Sequence, residues 1–326
     1  MQITSVNPNN VSGTQAVAAL PFDLQLQELA QCIERFTKQE GFTDTAIAAV
    51  QLIRSDHPTS RTHTFYEPSV CIIAQGQKQA VLGNEIYRYN PANYLVASVD
   101  VPVTGQVLEA TPEKPYLCFR LALEPQQISE LLLASGDATG HTASPTAASR
   151  RGLFVSKVNA PLLDAVLRLI RLLETPMDIP VLAPLLIREI VYRLLQGEQG
   201  ETLAQIALAD SHAQQIAKVI NTLKRDYHKN LRIDDLAREA CMSSSSLHAH
   251  FKTITNMTPL QYQKQLRLQE ARRLLFAEQL DAATASHRVG YESPSQFNRE
   301  YHRLFGLPPL RDIARLRSSS ALFGEV

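Results

Sequence analysis

The side chains of this chain best suited to directional chemistry lie in two short runs of hydrogen-bonding residues. Ser295, Gln296, Asn298 and Arg299 are set around Phe297, Tyr301 and Leu304, which recur at helical spacing and would face a core. About fifty residues upstream, Ser245, His248, Ala249 and Lys252 fall at i, i+3, i+4 and i+7, while Leu247, Phe251 and Ile254 take the opposite face. Polar groups on one helix face can read the edges of stacked bases. Arginine suits paired donation to guanine O6 and N7, and the alanine methyl suits thymine. Lysine and arginine nearby would contact phosphates, which position a helix without specifying sequence.

Each run needs a helix held firmly against its neighbours. Ser293 and Pro294 open the downstream helix, with Ser293 as N-cap, Pro294 at the first helical position and Gln296 placed to close a capping box. A short helix of about Ala282 to Arg288 precedes it, and Val289-Gly290-Tyr291 makes the turn. Upstream, Ile233 to Ala240 is a short amphipathic helix, Cys241-Met242-Ser243 the turn and Ser244 to Thr253 the next helix. Both read as helix-turn-helix units. Between them, Thr258-Pro259-Leu260-Gln261 repeats the cap signature and opens a helix from Pro259 to Leu275. At 1.5 Å per residue it is roughly 25 Å long. With the offsets of the recognition helices added, it can hold them about one duplex turn apart, near 34 Å. A single unit would pass for an ordinary helical hairpin; two on one spacer would not.

From about Gln214 to Leu316 the chain resembles the DNA-binding domain of AraC/XylS-type bacterial transcription regulators. Leu236-Ala237, Ser246-Leu247 with Phe251-Lys252, Pro259-x-x-Tyr262, Arg267-Leu268 with Ala271-Arg272, and Val289-Gly290-Tyr291 through Phe305-Gly306 and Pro309 carry the resemblance. The stretch from about Phe65 to Leu133 is similar, more loosely, to the N-terminal cupin-like domain of one AraC-type subgroup. Ala249 stands where many relatives carry a long polar or basic side chain, and Leu310 where an aromatic residue often follows the Pro-Pro region. The resemblance implies a sequence-specific regulator with double-stranded DNA and a small-molecule effector as partners, and RNA polymerase if it activates. No cofactor, metal or catalytic residue is implied. Ser245, His248, Ala249, Ser295, Gln296 and Arg299 are the expected base contacts, and Lys252, Asn298 and Arg303 the expected phosphate contacts.

Charge agrees with this division. The net charge is zero, but residues 211–326 carry 17 Lys plus Arg against 11 Asp plus Glu, an excess that the earlier residues balance. The expected fold class is α+β: an N-terminal cupin-like β-barrel with flanking helices, then an all-α domain of two helix-turn-helix units joined by a linker helix. The expected segments are a flexible tail (1–20), a cupin-like sensory domain (21–155), a helical linker and candidate homodimer interface (156–210), and the DNA-binding domain (211–326).

In the barrel, Val70 to Ala74 reads as a buried strand, and Lys78 to Leu82 and Glu85 to Tyr89 flank a Gly83-Asn84 hairpin turn. Tyr94 to Val99 and Tyr116 to Leu123 continue the strands, with Pro91, Pro102, Gly105 and Pro112 placed in turns. A helix is expected over Leu24 to Phe36 and another over Gln126 to Leu133, followed by a loop from Ser135 to Ser149. Arg61, His63, Tyr66 and Tyr94 are the polar side chains expected at the barrel mouth to orient an effector. Leu162 to Leu173 and Val181 to Leu195 are strongly apolar helices that either pack on the barrel and each other or join two copies.

A barrel metalloenzyme with a helical accessory domain is the competing class. Its ligands are missing: the barrel region offers His57, His63 and His141 with no His-x-His pair, and His248 and His250 lie about 200° apart around a helix. Cys32, Cys71, Cys118 and Cys241 form no Cys-x-x-Cys pair and read as reduced thiols of a cytoplasmic protein. Cys71 and Cys118, both in strand-like runs, are either a redox pair or buried small hydrophobes. The polar start of the chain lacks a signal-peptide pattern, and no apolar run reaches the ~18 residues a membrane span needs.

Overall fold

The computed structural model describes residues 21–134, 151–208 and 211–323. The expected tail (1–20), the Ser135 to Ser149 loop and His141 lie outside the described residues.

Period-two alternation builds two sheets. The first pairs β1 (Gly41–Asp44), β2 (Val50–Ser55), β9 (Tyr116–Ala122), β4 (Ser69–Gln75), β7 (Asn93–Ala97) and β10 (Leu153–Lys157) in that order. The second pairs β3 (Thr62–Tyr66), β8 (Val101–Glu109), β5 (Gln77–Leu82) and β6 (Glu85–Tyr89). Strand pairing is antiparallel throughout the described ladders. One face of the larger sheet, including Leu52, Val70, Ile72, Tyr94, Val96 and Phe119, packs under α1 (Phe22–Phe36), α3 (Ala160–Arg171) and α4 (Ile179–Leu195). The other face, with Ile53, Cys71, Ile73, Leu95 and Cys118, meets Ala80, Leu82, Val101 and Val103 of the smaller sheet. This is a sandwich of two sheets and not the closed barrel expected.

The hairpin forms as expected, with Gly83 at φ +61° in its turn. Pro102 and Gly105, expected in turns, lie inside β8. The ladder between β8 and β5 ends at Thr104, so Pro102 pairs with β3 alone and its missing N–H leaves no gap on the other side. Gly105 lies over the Tyr66 hydroxyl, where an added Cβ would approach to 3.3 Å. The apolar residues of α3 are buried. By contrast α4 keeps Val181, Leu182, Leu185 and Tyr192 exposed. Among the described residues no helix is long and apolar enough to cross a membrane.

Short α2 (Pro125–Ala134) and α5 (Gly200–Ala204) close the sandwich side, and α6 (His212–Asp226) opens the helical part. The first helix-turn-helix is α7 (Ile233–Glu239) and α8 (Ser244–Thr255); α9 (Pro259–Ala277) is the spacer; the second unit is α10 (Ala282–Arg288) and α11 (Pro294–Phe305), followed by α12 (Pro309–Phe323). Leu236, Leu247, Phe251 and Tyr262 share one core with the sandwich, whereas Leu268, Leu275, Phe297 and Tyr301 form a separate core for the second unit. The spacer thus contributes to both.

Candidate nucleic-acid interface

The two recognition helices start alike. Ser243 caps α8 by accepting from the Ser246 N–H at 3.2 Å, and Ser293 caps α11 by accepting from the Gln296 N–H at 3.4 Å. A capping box closes only at α9 among these three helices, where Thr258 and Gln261 bond reciprocally. The box expected at Gln296 does not form; its amide reaches one turn forward to Glu300 at 3.4 Å. Gln296 therefore stays on the exposed face.

Along α8, Ser245, His248, Ala249 and Lys252 are exposed while Leu247, Phe251 and Ile254 are buried. Along α11, Ser295, Gln296, Asn298, Arg299 and Arg303 are exposed over buried Phe297, Tyr301 and Phe305. Lys252, Arg299 and Arg303 form no salt bridge with an acid among the described residues. Several other cations of the same domain are paired: Lys264 meets Glu300 at 2.9 Å and Arg273 meets Glu270 at 2.8 Å. Unneutralised cations beside a polar helix face are what a phosphate backbone requires.

The frame beneath is set by residues that lie off the exposed faces of the two recognition helices. Arg267 of α9 donates to the carbonyls of Tyr227 (2.7 Å), Lys229 (2.9 Å) and Gly290 (2.9 Å), and so ties the end of α6 to the turn of the second unit. Gln263 donates to the same Tyr227 and Lys229 carbonyls. Gly290 sits at φ +87°, and a Cβ there would lie 2.1 Å from the His228 carbonyl oxygen. In the first unit the corresponding left-handed turn position is Cys241, at φ 55°. Asp312, fully buried, accepts from Arg272 (2.7 and 3.0 Å), Tyr301 (3.0 Å) and Arg315 (2.8 Å), and fastens α12 to α9 and α11.

The sandwich abuts this domain directly. Lys224 pairs with Asp100 at 2.5 Å, the Tyr262 hydroxyl donates to the Asp100 carbonyl at 2.9 Å, and Asn256 at the end of α8 donates to the Leu82 carbonyl at 3.0 Å. Beside that contact an open cleft of about 440 Å³ is lined by Leu82, Glu85 and Arg151 on one side and by Ala249, Lys252 and Thr253 on the other.

The four effector candidates do not share one mouth. Arg61 is exposed ahead of β3. His63 lies on the outer side of β3, 3.0 Å from the Thr104 hydroxyl and edge-on to Phe305 of α11 at 5.5 Å, so it faces the helical domain. Burial holds its imidazole below the ordinary range; Arg272 adds to this and Asp312 opposes it. Tyr66 points between the sheets. Tyr94 is buried on the far side of the larger sheet, under the helices, because Leu95 and Ala97 occupy the inner face of β7. The two inward thiols are neighbours, and the hydrogen bond from Cys118 lowers the Cys71 pKa. Sequence reasoning missed Lys78, although it shares strand parity with the inward Ala80 and Leu82.

A β-sandwich joined to two helix-turn-helix units on a rigid spacer defines a two-domain protein of the DNA-binding class. The family comparisons agree. Residues 46–202 match the AraC-type transcriptional regulator N-terminus, and residues 236–314 match a helix-turn-helix domain. The chain belongs to the AraC/XylS-type transcriptional regulators. It is 26% identical over 133 residues to the HTH-type transcriptional regulator ArgR of Pseudomonas aeruginosa, covering 40% of each chain. It is 28% identical over 164 residues to the transcriptional activator RhaS of Shigella boydii, covering 49% of this chain and 57% of that one. The chain thus spans about half the length of the curated relatives it matches. Among solved structures, ToxT from Vibrio cholerae bound to (E)-4-(8-methylnaphthalen-1-yl)but-3-enoic acid aligns with a TM-score of 0.53 at 11% identity, over 81% of this chain and 98% of that one. At that identity the likeness concerns the fold. These comparisons give the metalloenzyme alternative no support.

Proposed function

We propose that this protein is a sequence-specific DNA-binding transcription regulator whose N-terminal sandwich responds to a small molecule. The observation that carries the reading is the pair of capped recognition helices with exposed, unpaired cations on one frame tied by Arg267. Ser245, His248, Ala249, Ser295, Gln296 and Arg299 read bases, and Lys252, Asn298 and Arg303 hold phosphates. Ala249 offers only a methyl contact, so the downstream helix with Arg299 supplies the larger share of discrimination.

The effector reading is supported by the shared fold with ToxT, of which one structure holds a bound unsaturated fatty acid. Tyr66 is the effector candidate that lies between the sheets, and Arg61, His63 and Tyr94 would act from outside that space. The exposed apolar face of α4, with Val181, Leu185 and Tyr192, is the candidate surface for a homodimer, and an activating form would touch RNA polymerase. Retention on duplex DNA that falls steeply with salt tests the central reading. Indifference to DNA at low salt would refute it.

A further inference from the structure

The hairpin of β5 and β6 ends on the first recognition helix. Ala249, Lys252, Thr253 and Asn256 fall at i, i+3, i+4 and i+7 along α8 and so form one stripe. The sandwich meets the far end of that stripe. Asn256 donates to the Leu82 carbonyl at 3.0 Å, the Gly152 N–H donates to the Ile254 carbonyl at 2.9 Å, and a Cβ on Gly83 would lie 2.5 Å from the Asn256 amide. The open cleft beside Asn256 runs along the stripe, with Ala249, Lys252 and Thr253 on its helix wall and Arg151 and Glu85 on its sandwich wall. Arg151, one residue before Gly152, is held by Glu85 at 2.7 Å, and Glu85 is itself held by the Tyr87 hydroxyl at 2.6 Å. The Arg151 side chain is nevertheless exposed.

A recognition helix puts its N-terminal residues on the base edges, and the major groove is about 8.5 Å deep. At 1.5 Å per residue Lys252 stands about 10 Å along α8 from Ser245, and Asn256 about 16 Å. With Ser245 among the bases, Lys252 therefore lies at the rim of the groove, where the phosphates run, and the sandwich lies just outside it. Arg151 then faces the same stretch of backbone from the other wall of the cleft. A guanidinium offers five N–H donors, so the bond to Glu85 leaves others for a phosphate oxygen. The Glu85 carboxylate repels phosphate, but Arg151 cancels its charge and Lys252 leaves the cleft positive. On the reading of α8 as a recognition helix, we propose that the sandwich is itself part of the DNA interface. The backbone flanking the half-site read by α8 passes over this cleft, and Arg151 holds a phosphate there beside Lys252. Docking of the sandwich then adds directly to DNA affinity, since Arg151 reaches the backbone only while Gly152 and Leu82 stay bonded to the end of α8.

The test is fluorescence anisotropy of the full chain, across salt concentrations, on a duplex that the wild type selects from a random pool. Arg151→Ala should bind roughly tenfold more weakly at low salt, and the slope of log affinity against log salt should shrink by about 0.9. Its preference among bases should stay that of the wild type. Arg151→Lys should restore most of the affinity. Glu85→Gln removes the same ion pair but keeps the guanidinium, and should bind at least as tightly as the wild type. Each change removes one exposed ion pair, so the melting temperatures should stay close together. Equal losses in Arg151→Ala and Glu85→Gln would assign the effect to the broken pair and overturn the proposal, as would a wild-type salt slope in Arg151→Ala. Inorganic phosphate that raises the melting temperature only when Arg151 is present, with DNA affinity unchanged by Arg151→Ala, would give the cleft to a free anion and overturn it too. A wild type indifferent to DNA at low salt would instead overturn the regulator reading itself, and this inference with it.

Discussion

The Arg267 guanidinium donates at 2.9 Å to the Gly290 carbonyl, and the same group bonds Tyr227 and Lys229 at the end of α6. One side chain of the spacer therefore sets the second reading unit against α6, on which the first unit packs. Arg267→Ala should lower stability by about 2–4 kcal/mol, three charge-assisted bonds being lost and the Gly290 carbonyl losing its donor, while Gln263 still holds the Tyr227 and Lys229 carbonyls. It should weaken binding to a two-part site far more than binding to an isolated half-site. Denaturant titration and fluorescence anisotropy on both DNAs measure these together; equal losses on the two DNAs would contradict the tie.

Gly290 is held at φ +87° with the His228 carbonyl oxygen 2.1 Å from where a Cβ would stand. Gly290→Ala should cost about 2 kcal/mol or more, from the left-handed backbone and from the displacement of His228. Cys241 holds the equivalent turn of the first unit at φ 55°, so Cys241→Gly should be close to neutral. Urea midpoints of the two variants make the comparison.

Much of this frame was readable before the fold was known, because its signals are local. The Ser243, Ser293 and Thr258 caps, the Gly83-Asn84 hairpin and the spacing of Phe297 and Tyr301 are each determined within a few residues of chain. What escaped depends on tertiary partners. Pro102 is tolerated in β8 only because the ladder with β5 stops at Thr104. Tyr94 points toward the helices because of which face β7 presents to the other sheet. Asp312 reads as an ordinary surface acid until Arg272, Arg315 and Tyr301 converge on it. The strands β1 and β3, short and partly exposed, carry little periodic signal of their own.

His63 should link pH to docking of the sandwich on α11. Its imidazole is held below the ordinary range by burial, with Phe305 edge-on and Arg272 and Asp312 as the charged neighbours. The unfolded chain then takes up the proton more readily than the folded one. Stability from this site is complete above about pH 6.5 and is lost as pH falls through the lower folded value. Denaturation midpoints taken from about pH 7 to about pH 5.5 should fall more steeply for the wild type than for His63→Asn. Parallel curves would show that the histidine contributes nothing.

The cations of the two recognition helices should behave differently. Arg299→Ala is expected to cost roughly 1–3 kcal/mol and to relax preference at one base pair, whereas Lys252→Ala should weaken all sequences alike and flatten the salt slope. Selection of binding sites from a random pool with each variant separates the roles. An unchanged preference in Arg299→Ala would mean that the side chain contacts phosphate and reads no base.

The central claim is that two units on one spacer read two half-sites together, and footprinting of the purified full chain on genomic DNA measures it most directly. The expected result is a pair of protected half-sites about one duplex turn apart, near 34 Å, on one face of the helix. Protection of single isolated half-sites, or no protection even at low salt, would contradict the account.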